Sequence, residues 1–132
     1  MPSLVLPHLR FVETLPDPAL IVKTSGEIVL ANHKAEALFG YQPGQLTGQS
    51  VQVLLPESAR DLHPKQVEQY FANPRVRHMG SGLNLFGRRR DGSEFPVDIA
   101  LSPIHEGDEL FALALLWVVD TNRRPTSPLN SR

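Results

Sequence analysis

Residues Leu83 to Leu101, LNLFGRRRDGSEFPVDIAL, decide the fold. In the second half Phe95, Val97, Ile99 and Leu101 are apolar, with Glu94, Pro96, Asp98 and Ala100 polar or small between them, the period of a strand with one buried face. The first half spaces Leu83 and Leu85 two apart, and Asp91-Gly92 stands between the arms, where a tight turn needs residues that tolerate positive φ. The stretch is therefore read as a β-hairpin. Leu110 to Val119, LFALALLWVV, follows a polar turn at His105 to Glu109 and extends the hairpin into a three-stranded antiparallel meander.

Working outward toward the N-terminus, Met1 to Pro7 has two prolines and no period, and reads as an arm. His8 to Leu15 carries Leu9, Val12, Phe11 and Leu15 at helical spacing before Pro16 stops it. Ala19 to Lys23 and Glu27 to Leu30, joined through Ser25-Gly26, form a first hairpin. Asn32 is placed to cap a helix whose Ala35, Leu38 and Phe39 share a face, and Gly40 to end it in a left-handed conformation. Pro43 to Leu46 and Ser50 to Leu54 are each long enough for one helical turn. Arg60 to Asn73 is a longer helix with Pro64 in its first turn and Val67, Tyr70 and Phe71 on one face. Two strands, several short helices and three strands give an α+β domain, an antiparallel sheet with its helices gathered on one face. The expected boundaries are an arm over 1–7, an ordered domain over 8–122 and a tail over 123–132, where Pro125 and Pro128 forbid a continuing helix.

The chain has 132 residues, enough for one domain to bury roughly two-thirds of its unfolded surface without staples. It has no cysteine, which excludes disulfides, a thiol nucleophile and any cysteine-ligated metal or cofactor. A formal charge of −1 gives no overall electrostatic reason to expect nucleic acid or an anionic membrane. Leu110 to Val119 is about half the length that crosses a bilayer, and no basic segment followed by an apolar run opens the chain, so the protein is read as cytoplasmic.

Over residues 8 to 122 the sequence resembles the PAS family of sensory domains. The resemblance is carried by Leu15-Pro16-Asp17, by Gly26 to Asn32 running into Ala35 to Tyr41, by Leu46 to Gln49, and by Gly87 to Val97, in the family's order and spacing. It implies a PAS-like five-stranded antiparallel sheet wrapped around a cavity walled by short helices. It also implies a non-catalytic role in signal transduction or regulation of transcription, sensing a small molecule or binding a protein. A curved sheet under single-turn helices packs less uniformly than one under long helices, which agrees with an apolar cavity.

Leu55-Pro56-Glu57 through His63 to Tyr70 resembles the corresponding segment of haem-binding PAS domains in oxygen-sensing histidine kinases. There a histidine seven residues after the proline ligates iron, and imidazole nitrogen suits iron as an axial ligand. The resemblance implies haem b as a candidate cofactor with His63 as its metal ligand. Ile99 and Leu101 would lie on the distal side, and Tyr70 and Leu83 would join the lining. Leu83 stands where those sensors have an arginine that hydrogen-bonds the gas, and Gln69 replaces another arginine. Pro64 disfavours helical geometry at His63, and the competing reading makes His63 a helix cap or surface residue. Flavin is disfavoured, because photosensing domains of that type use a cysteine.

Other clusters read as structural. Arg88-Arg89-Arg90 lies at a hairpin tip without interleaved aromatics and is read as a solvated turn rather than a phosphate site. His33, His78 and His105 lack zinc-site spacing. Ser50, Ser58, Ser81, Ser93 and Ser102 have no nucleophile-elbow context, and the alternation turns Asp98, the partner His105 would need for acid/base work, away from the buried face.

Leu110 to Val119 is apolar on both parities, so both of its faces need cover: the interior on one, and on the other the helix around Leu9 and Val12 or a second protein chain. A homodimer or partner-docking surface is expected on the outer sheet face. PAS domains commonly end in an Asp-x-Thr motif leading to an output domain. Here Asp120 fits, Asn122 takes the threonine position and prolines follow, so the signal is expected to act in trans on a separate protein.

Overall fold

The computed structural model describes residues 7–79 and 85–119. Most of the expected N-terminal arm, Leu83 and the segment from Asp120 onward lie outside the described residues. The elements in chain order are a 3₁₀ helix at Pro7–Thr14, strands β1 (Ala19–Lys23) and β2 (Ile28–Ala31), and helix α1 (His33–Phe39). Short 3₁₀ turns at Val51–Leu54 and Glu57–Ala59 lead to helix α2 (His63–Ala72). Strands β3 (Arg77–Met79), β4 (Phe86–Arg88), β5 (Glu94–Glu106) and β6 (Glu109–Val118) complete the domain.

The sheet runs β2-β1-β6-β5-β3, with β4 also paired to β5, and every pairing is antiparallel. β3 lies against Ile99 to Leu101 and β4 against Glu94 to Pro96, so the two share one position beside β5. The sheet is thus five positions wide, as a PAS-like fold requires.

The hairpin at the centre of the sequence forms, and its second arm is longer than the alternation alone predicts. β5 continues past Leu101 because Ser102 to Glu106 stay in register with Leu113 to Glu109. The connection to β6 shrinks to Gly107-Asp108, with Gly107 at φ 58°, so His105 and Glu106 belong to the strand. The N-terminal helix is also wound more tightly than expected, as 3₁₀ rather than α, and ends at Thr14, whose hydroxyl donates to the Phe11 carbonyl.

Two cores form on opposite faces of the one sheet. Under the helices, on the inner face, Leu20, Val22, Ile28, Phe95, Val97, Ala114 and Leu116 pack with Ala35, Phe39, Leu46 and Leu54. On the outer face Leu9 and Val12 of the 3₁₀ helix pack on Ala19, Ile21, Leu30 and Phe111. The helix therefore supplies the expected second cover for β6, but only over half of its length. Trp117 is 38% exposed and Phe86 44%, and both stand on the uncovered half, opposite Asp98 and Pro96 respectively.

Asn32 caps α1 as its position in the sequence predicts, its Oδ1 accepting from Ala35 N at 2.9 Å. Gly40 ends the helix at φ 81°. Around that end Arg89 of the arginine cluster proves structural, while Arg90 is exposed as a solvated turn implies. Arg90 N donates to Phe39 O and Arg89 Nε to Leu38 O, while the Arg89 guanidinium lies 4.4 Å from the centre of the Phe95 ring. The β4–β5 turn thereby completes the C-terminus of α1, a contact across about fifty residues that local sequence does not reveal.

Gly87 makes this docking possible. A β-carbon there would lie 2.8 Å from Phe95 Cζ and 3.1 Å from Phe39 Cε1, inside the tilted pair that the two rings form with centroids 5.5 Å apart. Replacing Gly87 by alanine overpacks this corner, and we expect Gly87→Ala to lower stability by about 1–3 kcal/mol in urea unfolding. An unchanged midpoint would show that the rings are not held as described.

Candidate functional site

The candidate site is built on α2, the β1–β2 turn and the Ser50 to Gln52 segment beside it. α2 begins at His63, so the pre-proline preference for extended backbone is overridden there. Leu62 is already helical, at φ −90° and ψ −24°, and Pro64 occupies the first turn, where its missing N–H costs nothing. Leu62 offers no capping side chain, and His63 itself does not cap the helix.

His63 is half-buried, and its Nδ1 is enclosed without a hydrogen-bond partner. It lines a cleft of about 370 Å³ with Pro64, Val67 and Phe71 of α2, Thr24 to Gly26 of the β1–β2 turn, and Ser50 to Gln52. Burial lowers the His63 pKa below its ordinary 6.5, because the charged ring loses water and gains no acceptor.

The other expected lining residues are distributed differently. Tyr70 is buried, and its hydroxyl donates to the Arg75 carbonyl at 2.9 Å. Burial raises its pKa, against the pull of the nearby Arg75 and Arg77 charges. Ile99 and Leu101 project from the inner face of β5 and are only half-buried against the main core, whereas Phe95 and Val97 on the same face are sealed. His63 thus opens on a cleft that neither Ile99 nor Leu101 lines, and Gln69 is exposed on α2. Leu83 lies outside the described residues.

Sequence reasoning did not single out Arg77. Its register opposite Leu101 puts it on the inner face of β3, half-buried, and only the strand pairing reveals this. Asp98 lies on the outer face as the alternation predicts, with Oδ1 buried and unpartnered. It is seven residues along the same strand from exposed His105, roughly 23 Å away, and on the opposite parity. The two cannot work together as acid and base. Among the described residues no three His, Asp or Glu side chains gather to hold a metal ion.

A family model described as the PAS fold matches residues 9–120. The chain belongs to the PAS family. It is 33% identical over 103 residues to sensor protein FixL of Bradyrhizobium diazoefficiens, covering 77% of this chain and 20% of that one. It is 26% identical over 98 residues to oxygen sensor protein DosP of Escherichia coli, covering 74% of this chain and 12% of that one. The chain therefore spans a fifth or less of the length of these curated relatives. The PAS domain of an HTR-like protein from Haloarcula marismortui shares the fold, with a TM-score of 0.67 at 21% identity over 85% of this chain and 89% of that one. No helix among the described residues of this PAS domain is long and apolar enough to cross a membrane.

The lowered pKa of His63 gives a stability prediction with a definite sign. The folded state resists protonation of the ring, so its contribution is fully present above about pH 6.5 and is lost as pH falls through the lowered value. We expect thermal midpoints of the wild type and His63→Gln to run parallel from pH 8 to about 6.5, and the wild type to fall away faster below it. Curves that stay parallel to pH 5 would show that the ring is not buried as described.

Proposed function

We propose that this PAS domain senses a small molecule held between α2 and the inner face of β5, and passes the change to a separate output protein without catalysis of its own. The observation that carries this reading is the change in burial along one strand face. Phe95 and Val97 are closed off, whereas Ile99 and Leu101 further along the strand, and Leu85 across from Val97, remain half-open although all belong to the same apolar surface. A ligand would complete that surface. The sensor names of the relatives support the same role. A cytoplasmic location, a part in regulating transcription, and the absence of nucleic-acid and membrane partners belong to the proposal, which rests there on the near-neutral charge.

Haem sensing is the second reading, and the unpartnered His63 nitrogen favours it. An imidazole suits iron, so the donor chemistry fits, and bound haem would supply a site for a diatomic gas. The lining fits less well, because the His63 cleft is bounded by the β1–β2 turn and not by Ile99 and Leu101. Purified protein with a Soret band that disappears in His63→Ala would establish this reading, and no such band after haem titration would remove it.

For the outer face we propose self-association through the uncovered half around Trp117 and Phe86, where two aromatic side chains flank β5. Light scattering should show a dimer that Trp117→Glu dissociates, and a monomer at all concentrations would contradict it.

The principal reading is tested by native mass spectrometry of protein taken directly from cells. We expect a bound small molecule in the wild type and none in Ile99→Trp, whose larger side chain fills the half-open surface. A folded wild type carrying no added mass, or an Ile99→Trp variant that retains it, would contradict the reading.

A further inference from the structure

We infer that two copies of this domain pair through their outer sheet faces, with Arg88 of each copy bonded to Asp98 of the other. This rests on the self-association reading above and names the contact that sets its register.

The argument begins at Asp98. It is half-buried on the outer face of β5, across from Trp117. Its Oδ1 is enclosed without a hydrogen-bond partner, and the carboxylate as a whole meets no donor and no cation. A carboxylate is one delocalised charge, so losing water at one oxygen without gaining a donor leaves the group short of compensation. The enclosed oxygen is closed to a newcomer. Compensation has to come at Oδ2, which is not enclosed.

The second observation is a cation on the same face. Arg88 stands across from Glu94 and Phe86 across from Pro96, and paired residues on antiparallel strands project from the same side of the sheet. Glu94, Pro96 and Asp98 alternate with the inner residues Phe95 and Val97, so Arg88, Phe86 and Asp98 share the outer face. Arg89 bonds Leu38 O and Ser93 Oγ, whereas Arg88 makes no hydrogen bond and no ion pair, even with Glu94. The levels of Arg88 and Asp98 differ by four residues of β5, about 13 Å, with one strand spacing sideways as well. They are too far apart to meet within one copy.

A face that carries an unpaired anion and an unpaired cation at different levels becomes complementary to itself when turned about a two-fold axis, the symmetry of a closed dimer. An axis crossing β5 near Pro96, midway between the levels, brings each Arg88 to the other copy's Asp98 and sets Phe86 against Phe86. Glu94 arrives beside the same arginine, whose five N–H groups can serve both carboxylates. An unrelated partner would have to present both charges at this spacing. A second copy has them by symmetry.

The test is sedimentation equilibrium of the full chain, with circular dichroism to confirm that each variant is folded. We expect Arg88→Glu and Asp98→Lys each to weaken the dimer about tenfold or more. His78→Gln, on the same face across from Ala100, should leave it unchanged. Mixing Arg88→Glu with Asp98→Lys should restore dimerisation, because both contacts of the mixed dimer then join opposite charges. If a charge reversal does not fold, Arg88→Gln and Asp98→Asn replace it, and each should still weaken the dimer. A dimer that Trp117→Glu dissociates but that no substitution at Arg88 or Asp98 weakens overturns the inference and leaves self-association standing. A mixture no more dimeric than its separate components also overturns it. A wild type that is monomeric at every concentration removes self-association and the inference together.

Discussion

The buried carboxamide of Asn32 holds the two halves of this domain together. It is 1% exposed, and its full hydrogen-bonding capacity is used internally. Oδ1 accepts from Ala19 N at 3.0 Å and from Ala35 N, and Nδ2 donates to the carbonyls of Val12 and Asp17, each at 2.9 Å. One side chain thus fixes the end of the outer 3₁₀ helix, the start of β1 and the first turn of α1. A buried amide satisfied on every side stabilises and specifies a single arrangement, and the same amide with one partner removed would be a liability. The outer cover and the inner helical wall are therefore positioned by a common reference.

From that reference the molecule is asymmetric along its strands. Near β1, β2 and the adjoining length of β6, both sheet faces are sealed, by the 3₁₀ helix on one side and α1 on the other. Arg89 adds a second fastening, tying the β4–β5 turn to the end of α1 while its guanidinium lies over Phe95. Away from these anchors the seal is incomplete on both faces: Leu85, Ile99, Leu101 and Arg77 on the inner one, Phe86 and Trp117 on the outer. α2, beside the β1–β2 turn, begins without a side-chain N-cap. A rigid half beside a less constrained one suits a sensor, in which a bound molecule must alter packing somewhere without dissolving the fold.

Much of this was legible in the sequence, for physical reasons that also explain what was not. The period of two from Phe95 to Leu101, the Asp-Gly turn, the Asn32 cap and the Gly40 terminus are local signals, and each led to the element observed. The five-position antiparallel sheet followed from their order. The role of Arg89 and the inward placement of Arg77 depend on partners far away in the chain, Leu38 and Leu101, and no local pattern encodes those pairings. The three arginines at the turn thus read as a solvated tip, although one of them closes a helix. His63 stands out in the sequence, but the direction in which its cleft opens is set by how α2 packs against the β1–β2 turn. The continuation of β5 to Glu106 was hidden because Ser102, Pro103 and His105 interrupt its apolar alternation while the ladder to β6 persists.

The account turns on a contrast between a half of the domain locked through Asn32 and a half left free to respond around α2. Native-state hydrogen exchange resolved to single amides measures that contrast directly. The amides of Ala19 and Ala35, both bonded to Asn32 Oδ1, should exchange only through global unfolding, whereas those in the body of α2 should open at a distinctly lower free energy. Protection in α2 equal to that at Ala35 would contradict the account.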